Sequence, residues 1–316
     1  MSFELILPFF RPIEALLASA TVSEIMVNPD GSVWIEDEGR LAPLSEIRFE
    51  PGSLDAALEV VASRFGRRLD ADSPILNLRL PDGSRLAAII PPVVSPRPML
   101  TIRKFTARKF RMEQLVERET LSRELAQKLQ SAVERGDNIL ISGGTNCGKT
   151  TLLNILAGSI PDDERILVIE DTSELSIGKP HVVATEAQIN TYKNPITFDD
   201  LLNAILRHRP DRIIVGEVRG PEARTLLDAL NTGHRGMLAT VHASSARGAL
   251  DRIAHLAARG TSHSTPSDIQ AEIAAGIDCV VHLGRRSGRR KVEQVLDLGA
   301  RQPSALEGSV GQTSTR

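Results

Sequence analysis

Cysteines, aromatic residues and long apolar runs are all scarce in this chain, and each scarcity excludes a class of protein. Its 316 residues include two cysteines, Cys147 and Cys279, and no apolar run of the roughly 18 residues that a membrane-spanning helix needs. A disulfide-stapled domain and a transmembrane helix are therefore excluded, and we expect a reduced, cytoplasmic protein. The apolar stretch 3–10 is short and lacks a basic flank and a cleavage site, so we expect no signal peptide.

Aromatic content and net charge are low as well. The chain has one tryptophan and one tyrosine, and its 38 basic residues nearly balance 40 acidic ones, which leaves a formal net charge of −2. Nucleic acid bases would find little aromatic surface to stack on, and no overall positive field attracts a polyanion. Direct nucleic acid binding is not expected.

A glycine-rich segment carries the clearest functional signal. It follows the short apolar run 138–142 and precedes the helix-prone run 152–157. A strand, a glycine-rich loop, Lys-Thr and a helix in this order are typical of a P-loop, in which backbone N–H groups and a helix N-terminus bind phosphate. Lys149 is expected to reach the β- and γ-phosphates, and the Thr150 hydroxyl to hold Mg²⁺. The predicted nucleotide-binding residues are Gly143, Gly144, Thr145, Asn146, Cys147, Gly148, Lys149, Thr150 and Thr151.

Apolar periodicity divides the chain into two domains. Residues 1–104 are predicted to form a small N-terminal α+β domain, and the basic stretch 105–118 a linker. Residues 119–298 are predicted to form a P-loop ATPase domain, and residues 299–316, which lack periodicity, a disordered tail. In the first domain we predict strands at 23–28, 32–36, 75–80, 85–90 and 99–104, and a helix at 54–65.

In the second domain strands alternate with helices, which indicates an α/β fold with a mostly parallel sheet. Thr197 with Asp200, and Thr265 before Pro266, are helix-start signals. Strands are predicted at 138–142, 165–169, 181–185, 211–216 and 236–241, helices at 121–133, 149–158, 198–207, 221–231 and 245–258, and a late hairpin at 280–283 and 291–296.

Acidic residues follow two of the predicted buried strands, at the end where ligands bind in open α/β sheets. Glu217 ends one strand, and Glu170, Asp171 and Glu174 follow another. Such carboxylates could order the Mg²⁺ shell or the attacking water, or take a proton from that water. The alternatives are a surface glutamate after a core strand and a solvated loop with a helix cap.

Two histidines, His234 and His242, bracket the strand at 236–241. A pair of histidines with no third ligand is a weak metal signal. We predict that His242, at the carboxyl end of the strand, hydrogen-bonds near the γ-phosphate and senses the nucleotide. The alternative is a core histidine with its hydrogen bonds satisfied.

Four motifs in a fixed order give a family resemblance. The P-loop is followed by Ile-Glu-Asp-Thr-x-Glu-Leu, then by Arg-Pro-Asp-Arg-Ile-Ile-Val-Gly-Glu-Val-Arg-Gly, then by Thr-Gly-His-x-Gly-x-x-x-Thr-x-His-Ala. Over about residues 20–298 the chain resembles the type II/type IV secretion traffic ATPases, most of all the conjugal-transfer TrbB and Flp-pilus branch. The resemblance implies a RecA-like P-loop domain and a homo-hexameric motor that hydrolyses ATP. It also implies peripheral association with the cytoplasmic face of the inner membrane and partnership with inner-membrane secretion or pilus-assembly proteins.

The resemblance also implies site residues. Lys149, Thr150 and Thr151 match the Walker A motif, Glu174 the catalytic carboxylate of the aspartate box, Glu217 the Walker B glutamate, and Gly233, His234 and His242 the His box. The resemblance implies that both histidines of the His box, His234 and His242, act as nucleotide sensors. Arg103 and Arg85 match arginines that reach the phosphates and respond to loss of the γ-phosphate by a hinge motion. This chain has Asn146-Cys147 where the family loop has Gly-Ser. Asparagine tolerates left-handed backbone angles, so the phosphate cradle is expected to persist.

Two other functions use the same nucleotide-binding loop. One is a recombinase-type ATPase that acts on DNA strands, which ATPase stimulation by single-stranded DNA would reveal. The other is an assembly protein that binds nucleotide without turnover, against which the Glu174 and Glu217 pair argues.

Lys149→Ala tests the P-loop interpretation. We expect the variant to lose phosphate contact and ATP hydrolysis while its circular dichroism and thermal unfolding match those of the parent, because the sequence places Lys149 as a ligand. Hydrolysis at the parent rate would contradict the interpretation.

Overall fold

The computed structural model describes residues 7–37, 39–105, 110–171, 173–187, 195–260, 264–286 and 289–299. Two compact units emerge, Met1–Arg108 and Lys109–Arg316. The predicted tail lies outside the described residues from position 300 onward, as do residues 106–109 of the predicted linker. Among the helices of the described residues, none has both the length and the hydropathy of a membrane span.

The first unit is an antiparallel sheet packed against helices. Its elements are a 3₁₀ helix at Leu7–Ile13, α1 (Glu14–Ala18), β1 (Val22–Val27), β2 (Val33–Asp37), β3 (Arg40–Leu44), α2 (Ser53–Arg64), β4 (Ile75–Arg79), β5 (Arg85–Ile89) and β6 (Met99–Arg103). The six strands follow the order β3-β2-β1-β6-β5-β4. Strand residues alternate, so that Ile25, Leu86 and Ile102 on one face are buried in one core with Leu58 and Val61 of α2. The sequence patterns did not predict β3, α1 or the 3₁₀ helix.

The second unit has a seven-stranded sheet in the order β13-β12-β7-β11-β10-β8-β9. Its strands are β7 (Ile139–Gly143), β8 (Ile166–Glu170), β9 (Val182–Glu186), β10 (Arg212–Val218), β11 (Leu238–His242), β12 (Cys279–Arg286) and β13 (Arg289–Asp297). Its helices are α3 (Met112–Glu117), α4 (Arg123–Arg135), α5 (Lys149–Ala157), α6 (Phe198–Ile205), α7 (Glu222–Asn231), α8 (Ala246–Ala257) and α9 (Pro266–Gly276), with a 3₁₀ turn at Ala258–Gly260.

The predicted α/β architecture is confirmed. The sheet, which was predicted to be mostly parallel, is mixed. Neighbouring strands from β12 to β9 run parallel, whereas β13 pairs antiparallel with β12. The physical reason is the short connection between β12 and β13, because parallel neighbours need a long crossover and a hairpin does not.

Both faces of this sheet are covered by helices. Ile139 and Ile141 of β7 belong to a core with α4 and α5, whereas Leu140 faces a second core built with α6 to α9. Strands buried on both faces have continuous apolar sequences, as β7 and β8 do. The carboxyl ends of the parallel strands share one edge of the sheet, and this edge carries the acidic and glycine-rich motifs.

Helix boundaries follow the predicted signals. Thr197 and Thr265 each form a capping box with the aspartate three positions later, and Pro266 occupies the first turn of α9. Gly136 ends α4 with a φ of 80°, a left-handed angle that glycine adopts without strain. These starts and stops fix the helices that flank the site.

Candidate functional site

The glycine-rich loop joins the end of β7 to the start of α5. Gly143 ends the strand, and a Cβ there would collide with the carbonyl oxygen of Leu283 and with the Cys147 sulfur. Asn146 has a φ of 58°, so the loop keeps a left-handed residue where asparagine replaces the family glycine. Gly148, with a φ of 100°, leads into the helix, whose N-terminal N–H groups lack helical partners and could accept an anion.

Lys149 turns back toward the loop that precedes it. Its ammonium nitrogen donates hydrogen bonds to the carbonyl oxygens of Gly143 at 3.1 Å and Gly144 at 2.9 Å. The residue, which the sequence places as a ligand and not as part of the core, is only 7% exposed. Burial lowers the pKa of Lys149, and nearby groups that include Cys147 and Glu217 oppose that shift.

Glu217 is the centre of a chain of polar contacts at the carboxyl edge of the sheet. One carboxylate oxygen lies 3.1 Å from Nε2 of His242, and the other accepts a hydrogen bond from Nη2 of Arg219 at 2.8 Å. Arg219 also donates to the Asp171 carboxylate at 2.7 Å. His242 Nε2 lies 3.4 Å from the Lys149 nitrogen. The chain of contacts therefore connects β8, β10, β11 and α5.

These contacts set the protonation states of the two central groups. Burial acts to raise the pKa of Glu217, but the hydrogen bond and charge of Arg219, together with His242 and Lys149, outweigh it and lower that pKa. Burial and the charge of Lys149 lower the pKa of His242. At neutral pH Glu217 is therefore an ionised acceptor and His242 is neutral.

Glu170, the last residue of β8, and Glu174, which follows that strand, have different environments. Glu170 is buried, and one of its oxygens accepts hydrogen bonds from the backbone N–H groups of Glu174 at 2.8 Å and Leu175 at 3.0 Å. Gly216 makes room for it, since a Cβ there would lie 2.9 Å from Glu170 Cγ. Glu174 is half-buried, and its charge acts on Lys149 and Arg219. Glu170 therefore fixes the backbone at residues 174–175 and so positions Glu174 relative to Lys149 and Arg219.

The structure does not bring His234 to this cluster. His234 lies before the amino end of β11, and its ring Nδ1 is 3.2 Å from the Ala229 carbonyl oxygen. Together with Gly136, Gly233 and Arg212 it lines a cavity of about 530 Å³ at the opposite edge of the sheet. Of the two histidines predicted as sensors, only His242 lies beside Lys149.

Arg85 and Arg103 belong to the first unit, where the sheet register makes them cross-strand neighbours. Arg85 pairs with Arg103 on one side and with Arg79 on the other, while Arg103 pairs with Glu24. Three arginines thus occupy one row across β4, β5 and β6. Like charges directly opposite one another are unfavourable in a sheet, and an anion bound to the row would relieve the repulsion.

Arg219 was missed by the sequence analysis, although a signal for it exists. It stands two residues after Glu217, and alternate residues of an extended segment point to the same side. The backbone N–H groups of Arg219 and Gly220 both donate to the Glu222 carboxylate at 2.7 Å, which fixes the turn into α7.

Proteins that resemble this chain in sequence and in structure are named as secretion or conjugal transfer proteins. The family model described as type II/IV secretion system protein matches residues 10–307. The conjugal transfer protein TrbB of Rhizobium radiobacter is 35% identical over 287 residues, which cover 89% of this chain and 85% of that protein. The type IV secretion system protein VirB11 of Bartonella henselae is 30% identical over 331 residues, covering 92% of each chain.

Two solved structures share the architecture. The VirB11 ATPase of the Brucella suis type IV secretion system, solved with sulphate, is 25% identical, with a TM-score of 0.51 over 92% of this chain and 94% of that one. The Legionella pneumophila ATPase DotB is 20% identical, with a TM-score of 0.66 over 92% of this chain and 81% of that one. The second similarity concerns the fold alone.

The charges around His242 predict how its titration responds to substitution. Its pKa should lie below the ordinary value of 6.5. Lys149→Ala should raise the pKa of His242, because a neighbouring positive charge is removed, and Glu217→Gln should lower it further, because a negative charge is removed. Histidine ring NMR signals followed against pH measure both shifts. Shifts of equal sign in the two variants would contradict the described geometry.

Proposed function

This chain belongs to the type II/IV secretion system protein family, and we propose that it is an ATP-hydrolysing motor of conjugal transfer, type IV secretion or pilus assembly. The observation that carries the proposal is the convergence of Lys149, Glu217 and His242 beside the loop at residues 143–149. Lys149 is buried at the N-terminus of α5, where a phosphate ligand can bind, and the ionised Glu217 can act on the water that hydrolyses it.

The loop and Lys149 are proposed to bind the triphosphate of ATP. The backbone N–H groups of the loop cradle phosphate oxygens, and the ammonium of Lys149 exchanges the carbonyls of Gly143 and Gly144 for the β- and γ-phosphates. Thr150 is proposed to hold Mg²⁺, which neutralises charge on the phosphates when bound. The half-buried position of Thr150 in the first turn of α5 and the ionised Glu217 nearby fit a hard cation that prefers oxygen ligands.

Hydrolysis is proposed to depend on the two glutamates. Glu174 takes a proton from the attacking water, and Glu217 orients that water as an acceptor. Arg219 keeps Glu217 ionised and pointing inward through its 2.8 Å hydrogen bond. His242, neutral and in contact with both Glu217 and Lys149, responds to the position of the lysine and so to the nucleotide.

At the level of the machine, we propose a homo-hexamer that acts at the cytoplasmic face of the inner membrane. Its partners there are proposed to be the inner-membrane proteins of a secretion, conjugation or pilus-assembly system. The names of the relatives, which refer to conjugal transfer and type IV secretion, support the kind of system, and the chain spans 85% of the TrbB sequence and 92% of the VirB11 sequence that it matches. The hexamer and the membrane location follow from the family resemblance of the sequence motifs.

The carboxylates provide the test of turnover. Glu174→Gln and Glu217→Gln should each retain ATP binding, because neither removes the phosphate cradle, and each should lose ATP turnover by roughly 10²-fold or more. Phosphate release measures turnover, and binding of a fluorescent ATP analogue measures affinity. Glu113→Gln, which changes an exposed glutamate of α3, is the matched control and should keep parent turnover. Parent turnover in both site variants would show that the two glutamates are structural.

A second test concerns the arginine row of the first unit. If Arg103 binds the γ-phosphate, Arg103→Ala should reduce the ratio of ADP to ATP dissociation constants by roughly tenfold, since one charge-assisted hydrogen bond is lost. Arg68→Ala is the control, because Arg68 is exposed and pairs with Asp70 and Asp72 away from the row. An unchanged ratio in Arg103→Ala, measured by calorimetry, would remove Arg103 from the nucleotide site.

A further inference from the structure

The hairpin formed by β12 and β13 extends past the end of the strand that leads into the phosphate loop. Pairing between β7 and β12 ends where Gly143 faces Leu283, yet β12 continues to Arg286. Three further residues at about 3.4 Å each carry the hairpin roughly 10 Å beyond Gly143. The hairpin therefore reaches alongside the loop, and its end is basic: Arg285, Arg286, Arg289, Arg290 and Lys291.

One of these residues contacts the loop directly. Nε of Arg290 donates a hydrogen bond to the carbonyl oxygen of Asn146 at 3.1 Å. The aliphatic part of the side chain follows the next residues, since a Cβ on Gly148 would lie 3.4 Å from Arg290 Cδ. Arg289 serves a different contact, because its guanidinium lies 3.5 Å from the Glu119 carboxylate.

The contact falls on the non-glycine residue of the loop that has a left-handed backbone. Asn146 holds a φ of 58°, and this chain uses asparagine there, a residue that adopts the left-handed region less readily than glycine does. A donor fixed to its carbonyl restrains the peptide unit, which orients the following N–H groups of the loop.

The Arg290 contact can also persist while a phosphate group is bound to the loop. Phosphate oxygens bind the N–H groups of such a loop, whereas Arg290 occupies a carbonyl. Lys149 also donates to loop carbonyls, but its proposed role requires it to leave them for the phosphates. Arg290 can thus keep its bond when Lys149 exchanges partners.

We infer that Arg290 is a positioning residue of the nucleotide site, which holds the phosphate loop in its binding conformation through the Asn146 carbonyl. The inference rests on the proposed function in that the ligand positioned by the loop is a nucleoside triphosphate with Mg²⁺. Arg290 acts through the loop and is not itself a ligand of the phosphates.

Amide hydrogen exchange tests whether the hydrogen bond from Arg290 to Asn146 restrains the loop, and it needs no nucleotide. In protein with no nucleotide added, Arg290→Ala should speed amide exchange at residues 144–148 by roughly threefold to tenfold, because a charge-assisted hydrogen bond is lost. Arg290→Lys, which keeps a donor of similar reach, should restore part of the protection. Arg289→Ala is the matched control on the same hairpin and should leave exchange in the loop unchanged.

Nucleotide affinity tests the consequence. For a non-hydrolysable ATP analogue with Mg²⁺, Arg290→Ala should raise the dissociation constant by roughly threefold to tenfold, and in turnover assays KM should rise more than kcat falls. Arg290→Lys should lie between the parent and the alanine variant, and Arg289→Ala should match the parent.

Three outcomes overturn the inference. Unchanged exchange at residues 144–148 in Arg290→Ala would show that the contact does not restrain the loop. Faster exchange spread over β12 and β13 with a lower Tm would show a structural role for Arg290 in the hairpin. Faster loop exchange with unchanged analogue affinity would show that the Arg290 contact restrains the loop but does not contribute to nucleotide binding. If the parent protein does not bind the analogue, the proposed function fails, while the exchange data still decide whether Arg290 holds the loop.

Discussion

The sharing of the Glu217 carboxylate between Arg219 and His242 is the interaction on which the site depends. It joins β10 to the end of β11, and His242 continues the contact to Lys149 at the start of α5. Without this negative charge, the positive groups of Arg219 and Lys149 would lie in a partly buried region with less to balance them, where electrostatic interactions are stronger than in water. The carboxylate thus stabilises the cluster and also presents an acceptor to a ligand.

Much of the fold could be predicted because its strongest patterns are local. The buried strands β7, β8 and β10 each contain an unbroken apolar run, and helices such as α9 begin at side chains that cap them. The family predicted from the four motifs is confirmed by the family model and the relatives. The missed strand β3 lies at a sheet edge with largely exposed residues, Pro43 among them, so it has no need of an apolar pattern.

The site was predictable where it follows from strand ends and unpredictable where it follows from strand order. Glu217 and His242 lie at the carboxyl ends of predicted parallel strands, and Lys149 follows a third, so their place at one edge of the sheet could be expected. That β10 and β11 are neighbours, which brings Glu217 to His242, comes from the strand order. The contact of Arg290 with Asn146 joins positions 144 residues apart and exists only because β12 pairs with β7 and carries β13 with it. His234 is the reverse case, because it is close to His242 in sequence but far from it in the fold. It precedes the five-residue strand β11 and His242 ends that strand, so the two histidines lie at opposite edges of the sheet.

The two hydrogen bonds that Lys149 makes to the carbonyls of Gly143 and Gly144 have a consequence for any phosphate ligand that the lysine takes up. Binding such a ligand would be an exchange reaction, because each bond formed to phosphate would replace one that the loop already supplies. The net affinity would then be the difference between two sets of bonds and stay well below the strength of either. Under the proposed function, the same carbonyls would compete for the lysine after hydrolysis, so the loop itself would help to release the spent nucleotide.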